Sequence, residues 1–198
     1  MFVKFSSALM TLCSLLVLSF SSHAQWALDN SESSLSFLST KKAQITEIHS
    51  FKKLTGEVSD KGMLSVSVDL TSVATNIPIR DERMQTMLFN TDKFASATFS
   101  AKLPAGLQNL AVGAQVSQDV AGKLDLHGVS ADVTFSVMAS RINQNTLVVT
   151  TLKPTVLNAA TFGLDGGVEA LREIAKLDSI TLAVPVSFTA TFKQYEVR

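Results

Sequence analysis

Cysteine is almost missing from the 198-residue chain, which holds one, Cys13. Tryptophan and tyrosine occur once each and proline four times, while 17 basic and 17 acidic side chains cancel to a net charge of zero. Each shortage excludes something. A single cysteine makes no internal disulfide, so a framework of bridges does not hold this fold together. A neutral chain lacks the basic surface that displaces counterions from nucleic acid. Spanning a bilayer takes roughly 20 consecutive apolar residues, and no stretch of that kind exists, so a membrane-spanning protein is not expected. Without a Pro/Gly/Ser linker or a block of like charge, one domain is expected.

The first two dozen residues stand apart from the rest. Met1 to Lys4 is a short positive start, Ala8 to Phe20 is an uncharged apolar run of 13 residues, and Ser22-His23-Ala24 supplies a small-x-small step. This is the pattern of a secretory leader, residues 1–24, cleaved between Ala24 and Gln25. Its removal leaves 174 of the 198 residues, takes away Lys4 so that 16 basic side chains face 17 acidic, and carries off Cys13. Met10-Thr11-Leu12 places a large residue where lipid attachment to Cys13 needs a small one. The expected product is a periplasmic domain over 25–198 that must stabilise itself by burial alone.

Alternation with period 2 dominates that product. From Ile180 to Phe192 every even position is apolar (Ile180, Leu182, Val184, Val186, Phe188, Ala190, Phe192), with Thr, Ser, Ala and Pro between them. Leu64 to Leu70, Phe99 to Leu103 and Val133 to Ala139 repeat the pattern, and each reads as a strand with one greasy face. Weaker strands are expected at Trp26 to Asp29, Ser34 to Ser39, Phe51 to Val58, Gln108 to Val116, Lys123 to His127 and Leu147 to Lys153. Two segments change period. Ile79 to Phe89 follows Pro78 and spaces Met84, Met87 and Leu88 for a helix, able to lie as a lid over an interior or as an ordinary core stripe. Gly167 to Leu177 sets Val168, Leu171, Ile174 and Ala175 on one stripe. The fold class is all-β with two short helices, a sandwich or a barrel.

Catalytic patterns are scarce. Outside the leader only His49 and His127 remain, and no Gly-x-Ser-x-Gly elbow occurs among the abundant serines. Glu47 and His49 share a face if they lie on a strand, and His127 is the third group of an imaginable metal set; a solvated histidine near a loop is the plainer reading. Arg80-Asp81-Glu82-Arg83 is an ordinary helix start, or a place where Arg80 and Arg83 hold an anionic headgroup. Lys41, Lys42, Lys52 and Lys53 read as solvated. Neither an enzyme nor a metal or other cofactor is expected.

Several passages, in order, carry a family resemblance. Gly56-Glu57-Val58 is followed by Val68-Asp69-Leu70-Thr71-Ser72-Val73-Ala74-Thr75-Asn76, then Arg80-Asp81-Glu82-Arg83-Met84, then Leu88-Phe89-Asn90 through Phe94 to Ala97-Thr98-Phe99. Gly122-Lys123-Leu124-Asp125-Leu126-His127-Gly128-Val129 and Phe162-Gly163-Leu164 complete the series. Over nearly all of residues 26 to 193 the chain resembles the YceI-like family of secreted polyisoprenoid-binding proteins. The resemblance implies an eight-stranded antiparallel, lipocalin-like β-barrel whose apolar lumen holds a long isoprenoid or fatty lipid. With the apolar rows it places Phe37, Phe51, Val66, Val68, Leu70, Met84, Leu88, Phe99, Phe135, Val137 and Phe188 along that lumen, and Arg80 and Arg83 at the headgroup. The alternative is a stress-related envelope protein with a solidly packed barrel that acts through its surface. Monomer and homodimer are both left open.

Overall fold

The computed structural model describes residues 25–195; the expected leader and its cleavage after Ala24 lie outside them. Among the described residues twelve strand segments form one antiparallel sheet that closes on itself. The twelve act as eight staves. β1 (Gln25–Leu28) and β2 (Ser34–Lys41) follow each other along one edge of β12 (Ala183–Tyr195). β3 (Ile45–Phe51) with β4 (Leu54–Val58) makes the second stave, and β5 (Met63–Asp69) with β6 (Val73–Ala74) the third. β7 (Ser96–Lys102), β8 (Gln115–Leu126) and β9 (Val129–Asn143) are unbroken. β10 (Thr146–Thr151) and β11 (Thr155–Asn158) share the other edge of β12. Each stave pairs with the next in sequence, and β12 returns to β1 with Tyr195 opposite Gln25. This is an up-and-down barrel of eight staves, which leaves no open edge in a sheet so rich in Val, Thr and Phe.

The breaks lie side by side. Asp29 and Asp69 each accept a hydrogen bond from the backbone N–H two residues on, turning the chain through short 3₁₀ segments at Asn30–Glu32 and Leu70–Ser72. Between them runs the Lys52-Lys53 break. Asn30 accepts from the Leu54 N–H at 2.7 Å and donates to the Lys52 carbonyl, while the buried Ser72 hydroxyl accepts from the Lys52 and Lys53 N–H groups. Three neighbouring staves bend at one level with their freed backbone groups satisfied.

Helical pieces cap the barrel. At the upper end, where Asp69 faces Ser96, α1 (Pro78–Arg83) runs into a π-helical turn, Met84–Phe89, stopped by Asn90 in the left-handed region. α3 (Asp165–Ile174) packs against that turn through Gly167, where a Cβ would stand 2.8 Å from the Met87 carbonyl and the Leu88 Cα. At the lower end sits one short turn, α2 (Ala105–Gln108). The strand expected over Gln108 to Val116 is therefore corrected: this segment ends α2 and crosses the lower opening with Leu107 and Leu110 buried, and β8 begins only at Gln115. The strand expected over Phe51 to Val58 divides at the Lys52-Lys53 break into the end of β3 and β4.

Candidate functional site: the barrel lumen

The inward rows do not fill the barrel. A cavity of about 250 Å³ runs between the two ends, from Leu103 and Leu107 below to Leu88, Leu164 and Val168 above. Its walls are apolar apart from the hydroxyl residues Ser34 and Thr189. For scale, an engineered apolar cavity of about 150 Å³ stays dry and takes up benzene. A solidly packed barrel is not what the lumen shows.

Aromatic rings shape the walls. Midway, Phe135 stands edge-on to Phe99 with centroids 5.0 Å apart and to Phe188 at 5.4 Å. Higher up, Phe37 stacks on Phe51 at 5.2 Å and Phe51 meets Phe89 at 5.9 Å. Such pairs prefer these offset and edge-to-face arrangements, and they form a stiff apolar wall.

Of the side chains expected along the lumen, Phe37, Phe51, Val66, Val68, Leu70, Leu88, Phe99, Phe135, Val137 and Phe188 line the cavity. Met84 does not. The widened π turn rotates Leu88 and Phe89 to the cavity and leaves Met84 buried behind them in the upper core. Sequence periodicity missed Phe162, Leu164 and Val168, which come from the turn before α3 and from α3 itself, and Leu107 from α2. None of these lies on an alternating row.

Above Phe37 and Phe51 the inward face turns polar. On β3 the inward parity passes from Phe51 to His49 and Glu47, opposite Phe37 and Ser39 of β2. His49 is 5% exposed and packs its ring on Phe37 at 5.3 Å, so the solvated histidine expected there is corrected. Burial, with the Arg80 charge close by, pulls the His49 imidazole below its ordinary pKa. Glu47 takes a salt bridge from Lys41 at 2.7 Å and another from Arg80 at 3.0 Å. The hydrogen bond from Lys41, with help from Arg80, holds the Glu47 carboxyl below the usual carboxylate range. Lys41 is thus half-buried and paired, not freely solvated.

The headgroup pair expected from Arg80 and Arg83 is not assembled. Arg80 turns inward to Glu47 and donates to the Thr75 carbonyl at 2.6 Å, while Arg83 stays half-buried one turn further along α1. Asp81 is occupied too, accepting from the Thr75 N–H and hydroxyl. His127 stands apart in the β8–β9 turn, its Nδ1 3.3 Å from the Phe162 carbonyl and its ring edge-on to Phe94. Among the described residues no group of three or more His, Cys, Asp or Glu is placed to hold a metal ion. No helix among them is long and apolar enough to cross a membrane.

A closed antiparallel barrel of eight staves with a hollow apolar interior belongs to the architectures that enclose one small ligand. The chain belongs to the YceI-like family, whose YceI-like domain matches residues 26–192. A polyisoprenoid binding domain from Saccharophagus degradans, implicated in plant cell wall breakdown, is 34% identical and superimposes with a TM-score of 0.83 over 86% of this chain and 98% of its own. BcnA of Burkholderia cenocepacia has the same fold at 20% identity and a TM-score of 0.64, over 83% of this chain and 98% of its own. The Campylobacter jejuni YceI protein follows at 15% identity and a TM-score of 0.50, over 76% of this chain and 84% of its own. No curated protein matches the chain significantly.

Proposed function

We propose that this protein binds a long-chain isoprenoid or fatty lipid in its lumen and serves, without catalysis, as a periplasmic carrier or store for it. The observation that carries this is the cavity of about 250 Å³ with only two hydroxyl residues in its walls. Each methylene moved from water into such a lumen contributes about 0.8 kcal/mol, so a chain of about a dozen carbons binds without a polar anchor. The similar Saccharophagus degradans domain is described as polyisoprenoid binding, which supports the same class of ligand. The periplasmic placement rests on the leader pattern of residues 1–24.

Native mass spectrometry of protein secreted through its own leader tests the proposal. The expected result is an added mass that organic solvent extracts as a prenyl or acyl chain. A barrel that emerges empty and takes up neither kind of chain when offered them overturns it. Val68→Asp and Phe135→Arg each set a charge into the lumen, and binding is expected to vanish in both. Unchanged binding by either variant in folded form counts against the lumen as the site.

A further inference from the structure

Just beyond the upper wall of the lumen lie two buried polar atoms that nothing answers. His49 Nδ1 and Arg80 Nε are both shielded from solvent and without a hydrogen-bond partner among the described residues. Buried polar atoms in native proteins are nearly always bonded, so an unmatched pair in one cluster points to a group received there. His49 is 5% exposed and lies on the inward side of β3, one step beyond Phe51. Its ring leans on Phe37, whose own ring is part of the cavity wall. His49 is not itself part of the cavity wall but stands behind Phe37, so a chain lying along Phe37 and Phe51 points its end toward His49.

The charges around it are already balanced. Lys41 and Arg80 both bind Glu47, and Asp81 stands on the same helix as Arg80, bonded to Thr75. Two cations face two anions, and burial, with the Arg80 charge beside it, disfavours the charged form of His49. A phosphate brought into this cluster would add negative charge beside Glu47 and Asp81 after losing its water. A neutral oxygen meets no such penalty. It accepts from the Arg80 Nε–H, and a hydroxyl suits either tautomer of His49 because it both donates and accepts.

We propose that His49 and Arg80 form a recognition cap for the polar end of the bound lipid, and that this cap selects a neutral oxygen-bearing head, a hydroxyl, carbonyl or amide, over an anionic one. The assignment rests on the lumen being the lipid site, and it replaces the anion-holding role expected of Arg80 and Arg83.

Three probes with one prenyl chain test it: farnesene with no head, farnesol with a hydroxyl, and farnesyl phosphate with an anion. Farnesol is expected to bind about tenfold more tightly than farnesene, the worth of one well-made hydrogen bond, and farnesyl phosphate no more tightly than farnesol. In protein labelled with ¹⁵N-histidine, the His49 Nδ1 resonance is expected to move with farnesol and to stay with farnesene. His49→Phe is expected to bring farnesol down to the affinity that the same variant has for farnesene. Should that variant fail to fold, the comparison in the native protein decides alone. Equal affinity for farnesol and farnesene, or tighter binding of the phosphate, overturns the cap and leaves the lumen standing. A His49 signal unmoved by bound farnesol, as when the cap holds only water, overturns it too. Failure of all three probes to bind overturns the cap, and the lipid-binding lumen falls with it once acyl chains fail to bind as well.

Discussion

The ring of Phe99 lies across Gly122, so close that a Cβ on the glycine would stand 2.6 Å from the ring's tip carbon and would also meet the Ser100 carbonyl. Gly122 occupies an inward position of β8 between Val120 and Leu124, and its missing side chain is the slot that lets Phe99 reach Phe135. Gly122→Ala is expected to push β7 from β8 and displace the ring, at about 1–3 kcal/mol of stability. Urea unfolding measures the loss, and a variant as stable as the parent would show that the ring has room to give.

Phe135 is the centre of the mid-lumen trio, touching Phe99 on one side and Phe188 on the other. Phe135→Ala is expected to cost about 3–5 kcal/mol, because the neighbouring rings lose their contacts and the lumen wall does not collapse into the gap. Bound lipid is expected to return part of that stability by linkage, so the thermal midpoint of the variant should rise with added prenyl alcohol.

At the row of stave breaks, the buried Ser72 hydroxyl accepts from two backbone N–H groups of the neighbouring stave and donates to the Asp69 carbonyl. Ser72→Ala strands the Lys53 N–H, since Lys52 keeps a second bond to the Ser72 carbonyl. The expected loss is about 1–3 kcal/mol, read from denaturant unfolding. Amide exchange should quicken at Lys53 more than at Lys52.

Acid is expected to loosen the polar cap in two stages. His49 has a folded pKa below its ordinary 6.5 because burial and Arg80 disfavour the imidazolium. Below pH 6.5 the unfolded chain takes a proton that the folded one refuses, so stability falls as pH drops from 6.5 toward the folded value and then levels. Glu47, paired with Lys41 and Arg80, has a folded pKa below 4.5, so its contribution is whole above pH 4.5 and is lost as pH falls through that lower value. Stability measured against pH in the parent and in His49→Phe separates them: the upper stage should vanish in the variant and the lower one remain.

The inward rows were open to sequence reasoning wherever apolar residues face the lumen, as on β12 from Val184 to Phe192. On β3 the pattern inverts. Glu47 and His49 point inward to the cap while Ile48 points out and is 69% exposed, so alternation alone conceals a strand whose two faces have exchanged character. The pairing of Arg80 with Glu47 joins positions 33 apart in sequence, and no local spacing reports it. The cover over the lower opening was hidden for another reason: Leu107 just precedes the run from Gln108 to Val116 expected as strand, and Leu110 lies within it three positions on, as in a helical turn.

The two ends of the described chain form the barrel's seam, β1 against the last residues of β12, with Trp26 opposite Gln194. No local hairpin makes that closure, so it comes after nearly the whole chain is available, and the slow non-local step falls last. Until then the inner face of every stave is bare. A chain emerging on the far side of a membrane would spend that interval as an open apolar trough, the stage at which aggregation competes with folding. A lipid arriving then would find the trough before the tunnel exists, so loading and folding need not be separate events.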